Sequence, residues 1–166
     1  MRFAPAAAAL SLCLAMTASV TLAGAESKPD PRAATLIAQG QAALEAGETQ
    51  AAVDAFEAAL AVDPGHTPIF IDLAEAARRQ GLQGKAIRYY REALERDPGN
   101  FAAISGEGAA MVEKGALEKA KRNLAKLQSL CGAACPETVA LQTSIARGPS
   151  PRLAADGSAS AGPASN

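Results

Sequence analysis

From Ala33 to Leu130, apolar side chains recur three and four positions apart, and Gly or Pro interrupts them at regular intervals. That spacing marks helices with one buried face, and no stretch alternates polar and apolar residues long enough to suggest a strand. The pattern predicts an all-α chain. Helix starts carry their own markers: Asp30 stands before Pro31, Thr67 before Pro68 and Asn100 before Phe101. Asp, Thr and Asn are good N-caps, and Pro in a first turn sacrifices no hydrogen bond the helix would use. Read from these caps, helices run from about Pro31 to Ala46, Thr49 to Val62, Pro68 to Gln80, Gly84 to Arg96, Phe101 to Lys114 and Leu117 to Leu130. A seventh is expected from Pro136 to about Arg147, with Val139, Leu141 and Ile145 as its buried stripe.

The first six helices fall into pairs whose turns hold Gly47, Gly81 and Gly115, spaced 34 residues apart. The Asp63-Pro64-Gly65 motif returns at the same spacing as Asp97-Pro98-Gly99. Upstream of the first lie Ala52, Phe56 and Ala59, and upstream of the second Ala86, Tyr90 and Ala93, so each copy reads A-x3-(F/Y)-x2-A-x4-P. Period and pattern resemble the tetratricopeptide repeat. The second copy, with Phe70, Leu73, Ala74 and Ala77 on its first helix, fits throughout; the first offers Leu36, Gln39, Gly40 and Ala43. The third offers Ile104, Glu107, Gly108 and Met111, and departs furthest because Leu124 and Leu127 replace the aromatic residue and Ala. The resemblance implies three TPR-like helix-turn-helix repeats plus a C-terminal capping helix, stacked as a right-handed α-solenoid. Gly40, Ala74 and Gly108 would then face Ala52, Ala86 and Ala120 where paired helices cross, and Phe56 and Tyr90 would fill the space between repeats. Such arrays hold other proteins on a curved surface and seldom do chemistry.

The chain ends read differently. Arg2 is followed by an Ala/Leu-rich run from Ala6 to Leu22 and by Ala23-Gly24-Ala25, a small-x-small cleavage site. This predicts a secretory signal peptide over residues 1–25, hence export, in a bacterium to the periplasm, with no membrane attachment after cleavage. Residues 26–32 read as a linker and first helix cap, 33–147 as the repeat domain with its capping helix, and the Gly/Pro/Ser/Ala-rich 148–166 as a disordered tail. Loss of residues 1–25 removes Arg2 and no acid, leaving 15 basic and 17 acidic residues, a net charge of −2. That is no footprint for nucleic acid.

Processing also removes Cys13 and leaves Cys131 and Cys135, and an even pair in an exported protein points to a disulfide. Gly132 should end one helix and Pro136 begin the next, so the bridge would staple a turn. The rival reading of C-x3-C-P is a redox or copper element in an assembly factor for envelope or respiratory complexes. A single histidine, His66, leaves no nucleophile–His arrangement and no His-based metal site. Gly106-Glu107-Gly108 lies inside a helix and is no phosphate loop. No enzyme, cofactor or resident metal is expected.

By the family's register, the concave groove would be lined by Ala34, Ile37, Ala38, Gln41 and Leu44, then Ile71, Asp72, Glu75, Arg78 and Arg79, then Ala102, Ser105, Ala109 and Val112. The resemblance therefore implies an adaptor that binds a protein or peptide partner through Ile37, Gln41, Ile71, Asp72, Glu75, Arg78 and Arg79. Reversing charge at Arg78 and Arg79 should weaken binding without touching the core. One subclass of the family grips a chaperone's terminal carboxylate with Lys, Arg and Asn; those positions hold Ile37, Gln41, Asp72, Ala102 and Gly106 here, so that clamp is not expected. Self-association through an unfilled repeat face is the remaining alternative.

Overall fold

The computed structural model describes residues 28–149, so the signal peptide and most of the tail lie outside the described residues. Seven helices follow in order: α1 Pro31–Glu45, α2 Thr49–Val62, α3 Pro68–Arg79, α4 Gln83–Arg96, α5 Phe101–Glu113, α6 Leu117–Cys131 and α7 Pro136–Arg147. The described residues contain no strand, and none of their helices is long and apolar enough to cross a membrane. Helix bounds agree with the sequence pattern to within a residue or so. Short turns fold α1 on α2, α3 on α4 and α5 on α6, while α7 packs against α5 and α6. Contacts also run from α1 to α3 and from α3 to α5, and each second helix meets the first helix of the next pair. The first helices therefore share one face of an α-solenoid.

The periodicity has a local cause in the hairpin turns. After α1, Gly47 adopts φ +80°, its N–H donates to Leu44 O, and the Glu48 N–H reaches back to Ala43 O at 2.9 Å. This crossed pair of bonds satisfies carbonyls that a helix end leaves open, and a left-handed residue is needed to make it. The same closure recurs as Leu82 N–H to Ala77 O and Ala116 N–H to Met111 O.

Capping follows the sequence at two of three sites. Asp30 accepts from the Arg32 N–H at 2.8 Å and Asn100 from the Ala103 N–H at 2.9 Å. Thr67 does not cap: its backbone is already helical (φ −53°, ψ −38°) and its side chain makes no capping bond. Bonds from Ile69 N–H to His66 O and from Phe70 N–H to Thr67 O wind the first turn tightly through it.

Small residues do the work expected of them at Ala52, Ala86 and Ala120, all fully buried. Phe56 is fully buried too, with its ring against Gly40, where any Cβ would run into the ring. Leu73 and Ile69 join the same cluster. In the third repeat the expectation needs correction. The space left by Gly108 is taken by Leu141 of α7, and Gly106 lies against the Tyr90 ring. The cap's buried stripe is also shifted: Thr138 and Leu141 are fully buried and Ile145 partly so, whereas Val139 is about half exposed. Positions 138, 141 and 145 keep helical spacing on one face, and position 139 falls off it.

Candidate functional site

Along α1, Ala34, Ile37, Ala38 and Gln41 stand three or four residues apart and share one face, and Ile71 and Asp72 lie on the inner face of α3. Together with Pro68, His66 and the extended Lys28-Pro29 ahead of α1, they enclose an open pocket of about 460 Å³. That volume is within the range that holds a small ligand or a few side chains. The walls are aliphatic. Gln41 and Asp72 supply polar groups, and burial pushes the Asp72 carboxyl from its ordinary 3.8 up to about 6, against the opposing pull of a hydrogen bond with Gln41 and the charge of His66. Ile37, Gln41, Ile71 and Asp72, expected in the groove, are thus brought together.

The other three predicted groove residues have different work. Arg78 donates Nη1 to Glu75 Oε2 at 2.9 Å and Nε to Glu113 Oε2 at 3.2 Å, and its Nη2 bonds Glu113 Oε1 as well. This fork-to-carboxylate geometry is the strongest form of the interaction. The Arg78 charge also acts on Tyr90, whose phenol burial pushes up to about 12. Arg79 donates to Glu75 Oε1 at 3.4 Å and to Leu44 O, at the end of α1, at 2.6 Å. The cluster stitches α3 to α1 and α5. Charge reversal at Arg78 would set three carboxylates together in a partly buried network, so the expectation that it spares the fold does not hold.

The groove is also shorter than the register implies. Ser105, Ala109 and Val112 are buried, with the Ser105 hydroxyl donating to Glu137 O of α7 at 3.0 Å, and Leu44 is buried in the first core cluster. The cap covers the inner face of the third repeat, which confines the open pocket to α1 and α3. Sequence reasoning missed Lys28, Pro29, His66 and Pro68 of the pocket, and Arg78's partner Glu113. Glu113 was signalled by spacing: it lies 35 residues from Arg78, one repeat plus one, on the neighbouring first helix.

At the far end, Gly132 (φ +90°) terminates α6 and Cys135 precedes Pro136 of α7. This break brings Cys131 and Cys135 to a Cα–Cα distance of 5.7 Å with their sulfurs at bonding distance, as the turn-staple reading requires. The Glu137 carboxylate lies 3.0 Å from Cys135 Sγ, and Thr138 Oγ1 lies 3.6 Å from Cys131 Sγ.

A repeat array of helix hairpins with an open inner pocket is a scaffold for protein–protein contacts. Residues 37–101 match the family model described as Tetratricopeptide repeat, and the stacked hairpins have the fold of tetratricopeptide repeat domains. Such domains are generally interaction modules and not catalysts. No curated protein sequence matches the chain. Among solved structures, the Sgt2 TPR domain from Aspergillus fumigatus is similar with a TM-score of 0.64 and 24% identity, over 83% of this chain and 89% of that one. The first TPR of Spaghetti (RPAP3) bound to an HSP90 peptide gives 0.63 and 22%, over 70% of this chain and 91% of that one. The Yersinia enterocolitica type III secretion chaperone SycD in complex with a peptide of the translocator YopD gives 0.60 and 22%, over 74% and 89%. At these identities the likeness establishes the fold.

Proposed function

We propose that the protein is a non-enzymatic periplasmic adaptor, exported with loss of residues 1–25, that holds an extended segment of a partner protein in the pocket between α1 and α3. The observation that carries this reading is the open, aliphatic-walled cavity of about 460 Å³ on the inner face of the first two repeats. Peptide complexes of similar folds support it, as in the SycD and Spaghetti structures. The test compares proteins retained from a periplasmic extract by the intact protein and by an Ile37→Glu, Ile71→Glu variant of equal thermal stability. Both side chains line the pocket and neither is fully buried. Selective loss of a partner supports the groove; undiminished capture by the variant removes it. Mass spectrometry of the cell fractions tests export, with a soluble species starting near Glu26 expected and a membrane species retaining residues 1–25 as the contrary result.

A second reading, an assembly factor using Cys131 and Cys135 as a redox or copper element, is favoured by one observation. Donor atoms of Cys131, Cys135 and Glu137 lie within 4.8 Å of one another. Only the reduced pair offers thiolates to an ion. Stoichiometric Cu(I) retention by the reduced protein supports this reading, and loss of the ion on simple desalting defeats it.

A further inference from the structure

The pocket between α1 and α3 is not uniform in chemistry, and its polar part is one-sided. Asp72 projects its carboxylate among the aliphatic side chains of Ile37, Ala38 and Ile71. Among the described residues no Lys or Arg forms an ion pair with it. The nearby arginines of the same helix are committed elsewhere, Arg78 to Glu75 and Glu113 and Arg79 to Glu75 and the Leu44 carbonyl. Gln41 from α1 and His66 from the turn before α3 act on the carboxylate, and Lys28 of the preceding extended segment lines the same cavity.

We propose that this pocket selects a segment in which an aliphatic residue is followed by lysine or arginine, the aliphatic side chain lying against Ile37 and Ile71 and the cation pairing with Asp72. The inference rests on the groove reading and adds the chemistry of the occupant. The half-buried carboxylate has lost part of its hydration and, among the described residues, pairs with no Lys or Arg, so an incoming ammonium or guanidinium restores part of that loss. The apolar walls suit the methylene stems of Lys and Arg as well as a Leu or Ile, because such side chains lay their stems on apolar surface and keep the charged head on a polar partner. An acidic segment would instead set a second carboxylate beside the first in a site of reduced dielectric, which disfavours it. The elevated proton affinity of Asp72 agrees with this geometry, since burial has taken hydration from the ionised carboxyl.

The test titrates the 15N-labelled protein at pH 7.5 with N-acetylated, C-amidated nonapeptides of Gly, Ser and Ala that carry Leu-Lys, Leu-Arg, Leu-Gln or Leu-Glu at the centre. Amide shifts of residues 37, 41, 71 and 72 report the site. The expected result is at least about tenfold tighter binding of the Leu-Lys and Leu-Arg peptides than of Leu-Glu, which corresponds to about 1.4 kcal/mol. Asp72→Asn should abolish that preference and bring the Leu-Lys, Leu-Arg and Leu-Glu affinities to within about twofold of one another, because Asn keeps the size and a hydrogen-bonding oxygen but carries no charge. Asp72→Ser serves as a second variant if Asn perturbs the spectrum beyond the site. If Leu-Glu binds as tightly as Leu-Lys, or if the preference survives both substitutions, the inference fails while shifts confined to the pocket still uphold the groove. If none of the four peptides moves the pocket amides, inference and groove reading fall together.

Discussion

Replacing Asp72 by Asn should stabilise the protein at neutral pH, by an amount the environment of the carboxyl sets. Its native pKa near 6 exceeds the ordinary 3.8, with burial as the leading cause. The folded state therefore holds the proton more tightly than the unfolded chain. Between these two values folding takes up a proton, so this residue's contribution rises as pH falls through about 6 and is complete below 3.8. Above about 6 the ionised group costs stability. The full difference would correspond to about 3 kcal/mol, at about 1.4 kcal/mol per decade of proton affinity. Asp72 is only half-buried, and solvent screening reduces this to on the order of 1 to 2 kcal/mol. Asn removes the charge and retains an oxygen that can meet Gln41. Thermal melts of both proteins from pH 4 to pH 8 are the assay. The variant should melt higher at pH 8, by roughly 4 °C per kcal/mol, and the two curves should converge toward pH 4. A difference that does not change with pH, or a variant less stable at pH 8, would refute the desolvation argument.

Further outcomes follow from the packing. Arg78→Ala should destabilise by about 2 kcal/mol, since it strands Glu75 and Glu113 around a partly buried site, whereas Arg79→Ala, at a more exposed side chain, should cost clearly less; equal melting temperatures would mean that the network is ornamental. Ala86→Leu should overpack the second hairpin and cost roughly 1 to 3 kcal/mol, while Arg88→Ala on the exposed side of the same helix should change little; similar effects in the two melts would place the repeat register in error. Free-thiol counting on protein purified without reductant should find no thiol at Cys131 or Cys135, and reduction should remove roughly 2 kcal/mol of chain-entropy stabilisation. Hydrogen exchange should then quicken in α7 before α1 to α4; uniform quickening would show that the bridge supports the whole array.

The helices and their pairing were legible because a 34-residue period in glycines, D-P-G turns and small residues repeats the same local geometry, and local geometry is what sequence spacing encodes. The crossed bonds after Gly47 recur after Gly81 and Gly115 for that reason. Half of the pocket was legible too, since Ile37, Gln41, Ile71 and Asp72 follow from register alone. What spacing left open was how groups compete across helices. Arg78 and Arg79 look like groove residues by position, but Arg78 pairs with the Glu113 carboxylate of α5 and Arg79 donates to the Leu44 carbonyl at the end of α1, and a matched carboxylate in a partly buried site outweighs exposure to the groove for Arg78. Thr67 looks like a cap, but the turn that follows Gly65 winds it into the helix.

The third repeat explains why the open groove has the length it has. An array exposes the inner and lateral faces of its last hairpin, and something must cover them. Here α7 does so by seating Leu141 where Gly108 leaves room and by taking the Ser105 hydroxyl on the Glu137 carbonyl. Both contacts use surface that the register assigns to the groove, so capping and binding draw on the same face and the chain divides it between them. The C-terminal repeat is closed and rigidly packed, and the first two keep the exposed aliphatic wall. Within that wall Asp72 is met by Gln41 and the charge of His66, without the arginine that Glu113 and Glu107 each have. A carboxylate that lowers stability at neutral pH, on an inner face that α7 leaves open among the described residues, is the group whose lost hydration the proposed lysine or arginine would restore.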